Sequence, residues 1–106
     1  MGRQKSTWKH AERTVAGLVG GERTGPTGRA VADVKNDWLN AEVKHRKKLP
    51  AWILSALAQA RADANPRQLP IAVLHQKNQR YTDSLVVMRM ADFIAWFGDP
   101  LPEASE

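Results

Sequence analysis

The stretch Val31-Ala32-Asp33-Val34-Lys35-Asn36-Asp37-Trp38-Leu39-Asn40-Ala41-Glu42-Val43-Lys44-His45 decides the fold. Two short strand-forming runs, 31–34 and 39–45, flank the turn formers Lys35-Asn36-Asp37, which is the spacing of a hairpin. Side chains alternate faces along a strand, so Ala41 and Val43 point to one side and can enter a core. Glu42 and Lys44 then share the opposite side. The hairpin can also bring Asp33, at the end of its first strand, alongside Glu42.

Upstream, residues 7–19 predict a helix, because Trp8, Ala11, Val15, Leu18 and Val19 recur on one stripe, with Ser6 as N-cap and Gly20-Gly21 as the stop. Residues 22–30 carry Gly25-Pro26-Thr27-Gly28 and predict a short strand followed by a mobile loop. Downstream, Pro50 suits the first turn of an alanine-rich helix over 51–64 that ends at Asn65-Pro66. Two continuous apolar runs, 69–75 and 84–88, fit strands buried on both faces, and a short helix is expected over 92–97. The order α, three β, α, two β, α predicts an α/β fold: a mixed central sheet of about five strands flanked by helices.

At 106 residues the chain suits one domain, with 1–6 as a basic arm and 99–106 as an acidic tail. It has no cysteine, which excludes disulfides and thiolate chemistry and suits a reducing cytoplasm. No stretch of 18 apolar residues occurs, so neither membrane insertion nor secretion is expected. The net charge of +5 is lopsided: residues 1–48 carry +6 and residues 49–106 carry −1. A basic half of this kind points to a polyanion, nucleic acid ahead of acidic lipid, since no basic amphipathic helix is evident.

Glu12 falls inside the apolar stripe of the first helix. It either reaches solvent at the stripe's edge or meets a cation, because an unpaired buried carboxylate costs several kcal/mol. Asp33 and Glu42, held about 4 Å apart, would repel by roughly 4 kcal/mol at an effective dielectric of 20, and a divalent cation relieves that repulsion. Oxygen ligands without Cys or a His pair favour Mg²⁺ or Mn²⁺, with the Val43 carbonyl as a further oxygen and Lys44 orienting a water or stabilising charge on phosphorus. Glu-x-Lys alone arises by chance about 0.4 times in a chain of this length, so the weight lies in the agreement of all four residues.

Glu12, Thr27-Gly28-Arg29, Asp33, Glu42-Val43-Lys44-His45-Arg46-Lys47 and Gln59 together resemble the PD-(D/E)xK nucleases, most closely the Holliday junction resolvases of archaeal and phage type. The resemblance spans roughly residues 8–88, with Ala32 standing where the pattern has Pro. It implies a restriction-endonuclease-like core and a metal site of Glu12, Asp33, Glu42 and Val43, with Lys44 catalytic. It also implies a hydroxyl residue, Thr27, assisting from the Gly-rich loop, and a homodimer acting on four-way DNA junctions in a bacterial or archaeal cell, with a phage genome a natural source.

Arg3, Lys5, Thr27, Arg29, His45, Arg46, Lys47 and Lys48 are the expected DNA contacts, against a solvated surface as the alternative. Gln59 either bonds a site residue or DNA or caps a packing edge. His10 and His75 read as structural, and Trp38, Trp52, Trp96 and Phe97 as core or dimer contacts. Other readings keep the site but change the substrate to duplex or flap DNA, or retain DNA binding without catalysis. With about six phosphate contacts per protomer, a filter-binding titration should give log affinity falling against log salt with a slope of about −5.

Overall fold

Helix α1, Thr7–Val19, ends on a backbone that only glycine adopts cheaply. Gly20 takes φ +68° and Gly21 N–H donates to Ala16 O at 2.9 Å, the paired features of a Schellman stop. A side chain at Gly21 would put its Cβ 2.9 Å from the Lys35 carbonyl oxygen, so the second glycine lets the chain pass tightly against the neighbouring strand. This computed structural model describes residues 7–24 and 32–98; the expected N-cap Ser6, the loop over 25–31 and the tail lie outside them. The chain divides into two compact units, 1–47 and 48–106.

In the first unit, strands β1 (Glu22–Arg23), β2 (Val34–Lys35) and β3 (Asn40–Ala41) form an antiparallel sheet in that order, and α1 packs on β1 and β2. Arg23 pairs with Val34 and Val34 with Ala41, so these three share one face. Val34 is fully buried. The hairpin between β2 and β3 is built around Asn36, whose Oδ1 accepts N–H groups of Trp38 (3.1 Å) and Leu39 (2.8 Å), while its Nδ2 donates to Val19 O at 2.9 Å. One side chain thus makes the turn and caps the end of α1.

The buried stripe of α1 is rotated from the expected one. Glu12 and Ala16 are its most buried residues, whereas Trp8 and Leu18 are about half exposed. Alanine at the contact lets the helix approach the sheet closely, and the larger residues ride the edges. β2 and β3 are also shorter than the runs 31–34 and 39–45 that the sequence suggests. Even so, half-buried and exposed residues keep alternating from Ala41 through Lys44, past the last paired rung.

The second unit holds α2 (Ala51–Asp63), β4 (Ala72–Leu74), a 3-10 turn (Tyr81–Asp83), β5 (Leu85–Val87) and α3 (Met90–Phe97). Pro50 ends up as the N-cap of α2, its carbonyl accepting the N–H groups of Ile53 and Leu54. α2 packs on β4, and Leu57 and Ala72 are the buried apolar residues of those two elements. β4 and β5 pair only with each other, antiparallel, through Ala72 with Val87, Val73 with Val86 and Leu74 with Leu85.

That pairing corrects the expectation of strands buried on both faces. Val73 and Val86, cross-strand partners on one face, are both more than half exposed, as one face of a two-stranded antiparallel ribbon can be; Leu85, on the opposite face with Ala72, is more than half exposed as well. The aromatic residues expected in a core or dimer contact, Trp38, Trp52, Trp96 and Phe97, are likewise 46% to 64% exposed, so none is core. His75 does serve structure: its ring stacks on Tyr81 at 3.8 Å and its Nε2 lies 2.8 Å from Gln79 O.

The fold is therefore a small α/β arrangement with three α-helices and five strands among the described residues, in the expected order but divided between a three-stranded and a two-stranded antiparallel sheet. No helix among the described residues is long and apolar enough to cross a membrane. Val34→Ala should lower the unfolding free energy by roughly 2 kcal/mol, read from the urea midpoint, because it leaves a cavity where a fully buried apolar side chain stood.

Candidate functional site

The β2–β3 register sets the geometry. Val34 lies opposite Ala41 in the last assigned pair, and continuing that register by one residue would set Asp33 across from Glu42, on the face away from Val34. Asp33 Oδ2 accepts the Val43 N–H at 2.8 Å, which turns its carboxylate toward the end of β3. Glu42 Oε2 and Lys44 Nζ lie 3.1 Å apart, and both side chains are more than half exposed. Of the expected site residues, Glu42 and Lys44 meet as an ion pair, and Asp33 reaches the backbone beside Glu42 through the Val43 N–H.

An exposed pair such as Glu42–Lys44 stabilises a fold by at most about 1 kcal/mol, and alternation along the strand is enough to bring its two charges together. Among the described residues no three His, Asp or Glu side chains gather to hold a metal ion by themselves. Mg²⁺ keeps several waters and takes one or two carboxylates plus substrate phosphate, whereas Ca²⁺ and Zn²⁺ want fuller protein cages.

Glu12 is the buried exception to a polar surface. It is 7% exposed, and Arg23 Nε donates to its Oε1 at 2.6 Å. The cation that a carboxylate in an apolar stripe requires is therefore Arg23, projecting from β1 onto the helix-facing side of the sheet. Its guanidinium also lies 5.8 Å from the centre of the Trp8 ring, and its Nη2 is buried with no hydrogen-bond partner. Glu12 Oε1 is committed to that ion pair, leaving Oε2 as the oxygen outside it.

Among the expected DNA contacts, His45, Arg46, Lys47 and Lys48 are all exposed, with Arg46 Nη1 donating to His45 O at 3.1 Å. Arg3, Lys5, Thr27 and Arg29 lie outside the described residues. Gln59, in the second unit, lines an open groove of about 660 Å³ with Ala56, Asp63 and Gln68. Arg23 and Thr24 carry no motif of their own, although the misplaced Glu12 asks for a cation without saying which, and Asn36 shows in the sequence only as one of the turn formers at 35–37.

No family model matches the chain, and neither the curated proteins nor the solved structures include a significant match to it.

Arg23→Met would strand the Glu12 carboxylate, and urea unfolding should report a loss of about 3 kcal/mol. The double variant Glu12→Gln/Arg23→Met should recover part of that loss, because no unpaired charge is left buried.

Proposed function

We propose that the chain is a metal-dependent, structure-selective DNA endonuclease of the PD-(D/E)xK class, acting as a Holliday junction resolvase that makes paired symmetric nicks. The observation that carries the reading is the Asp33 carboxylate bound to the Val43 N–H at 2.8 Å, next to the Glu42–Lys44 pair at 3.1 Å. The basic run His45-Arg46-Lys47-Lys48, continuing from that point, supports a polyanionic substrate. In this reading the two small sheets belong to one restriction-endonuclease-like core of five strands, the active form is a homodimer, and the enzyme works in the cytoplasm of a bacterial, archaeal or phage-infected cell.

Asp33 and Glu42 hold Mg²⁺ or Mn²⁺, aided by the Val43 carbonyl. When bound, the ion supplies polarisation of the phosphate and a lowered pKa for a bound water. The Lys44 ammonium leaves Glu42 to hold the attacking water and offset the charge that grows on the phosphoryl oxygens. The water oxygen bonds to phosphorus, one P–O ester bond breaks, and the departing sugar oxygen takes up a proton. Asp33 is kept in place for this by the Val43 N–H. Glu12 is held by Arg23 on the α1-facing side of the sheet, so in this reading it braces helix against strand and does not ligate the ion.

A second reading has an observation of its own. The Glu42–Lys44 contact is an ordinary exposed ion pair, as a DNA-binding module without catalysis would show. Cleavage of a labelled four-way junction separates the two, run beside linear duplex and flap DNA with Mg²⁺, with EDTA and with the Asp33→Ala and Lys44→Ala variants. A resolvase gives paired nicks confined to the junction, abolished by EDTA and Asp33→Ala and slowed by about 100-fold or more in Lys44→Ala, which still binds. Cutting of every substrate means a general nuclease, and tight binding with no metal-dependent cutting overturns the catalytic reading.

A further inference from the structure

Thr24 follows Arg23 on β1's path and lies opposite Asp33, on the face that Asp33 and Glu42 share. Its backbone N–H donates to the Asp33 carbonyl at 2.9 Å, one rung beyond the last assigned pair. Its hydroxyl donates to the Ala32 carbonyl at 2.7 Å, with the Asp33 carbonyl oxygen 3.3 Å away. A hydroxyl has one proton to give, so the shorter contact is the principal bond.

These two carbonyls belong to the two peptide planes on either side of the Asp33 Cα. A residue has only two soft backbone dihedrals, and each is a rotation of one flanking plane. Holding both planes therefore sets the direction in which the Asp33 side chain leaves the strand. The far end of that side chain is held separately, by the Val43 N–H on Oδ2. Thr24 is itself anchored through its neighbour, because Arg23 is tied to the buried Glu12 carboxylate of α1.

We propose that Thr24 is a positioning residue for Asp33: its hydroxyl fixes the backbone from which the carboxylate is aimed, and so sets the affinity of the site for a divalent cation. This rests on the reading of Asp33 as a metal ligand. A valine would serve a strand position equally well in shape and strand preference, so the hydroxyl is the part that the proposal explains. Groups that orient a metal's ligands from behind typically matter by about 10- to 100-fold in metal affinity.

The test is Mn²⁺ alone binding to the full chain without DNA, read by the loss of the free-ion electron paramagnetic resonance signal, for the parent, Thr24→Val, Thr24→Ser and Asp33→Asn. The expected result is about 10-fold weaker binding in Thr24→Val, near-parent binding in Thr24→Ser, and loss of the site in Asp33→Asn. Near-ultraviolet circular dichroism checks that each variant is folded, and Thr24→Ala replaces the valine variant if that one is not. Parent-like binding by the folded variant lacking the hydroxyl, with Asp33→Asn still defective, overturns the role of Thr24 and leaves the metal site standing. Equal weakening in the valine and serine variants overturns it too, because the hydroxyl is then not the cause. Parent-like binding by Asp33→Asn overturns the metal reading itself, and the positioning role with it.

Discussion

A carboxylate 7% exposed on the inner side of a helix is tolerable only because a guanidinium meets it at 2.6 Å, and the arrangement of the first unit depends on that contact. Removing an ionised carboxylate from water costs several kcal/mol, and the charge-assisted bond from Arg23 Nε offsets that penalty only in one relative placement of α1 and β1. Apolar contact tolerates sliding; a directional bond between two long-range partners does not. The pair therefore does more to specify how helix and strand meet than to stabilise them. The unpartnered Arg23 Nη2 shows that the burial is not fully compensated.

The rest of the unit follows from this placement through polar ties, for want of apolar ones. Among its described residues only Ala16 and Val34 are buried apolar side chains. Asn36 joins the turn to the carboxyl end of α1, Thr24 joins β1 to the backbone around Asp33, and Asp33 reaches across to Val43. A small unit cannot bury enough apolar surface to hold itself by hydrophobic contact alone, so each such bond carries a large share of its specificity. The same ties hold the Asp33 carboxylate against the Val43 N–H, next to the exposed Glu42–Lys44 pair. In the proposed reading, the helix-facing side of that sheet supplies rigidity and the outer side supplies chemistry.

Much of this was readable in the chain because the governing forces are local. Alternation put Glu42 and Lys44 on one side, the turn formers at 35–37 joined β2 to β3, and the glycine pair at 20–21 ended the first helix. The boundaries of α1 and α2 followed from periodicity and from alanine content. The runs 69–75 and 84–88 misled, because continuous apolar residues do not reveal whether a strand will find neighbours on both faces. Val73 and Val86 are exposed since β4 and β5 found only each other.

The sequence by itself determined the element order, the turn chemistry and the pairing of charges two residues apart, all set by backbone geometry within a few bonds. It also required that Glu12 meet a cation, since desolvation is a property of the residue and its stripe. Which of sixteen Lys and Arg residues would answer was decided only in three dimensions. Arg23 lies eleven residues away, and its reach to Glu12 depends on the packing of β1 against α1, which no local pattern encodes. The grip of Thr24 on the Ala32 and Asp33 carbonyls belongs to the same class, a bond that exists only once strand register has brought its two ends together.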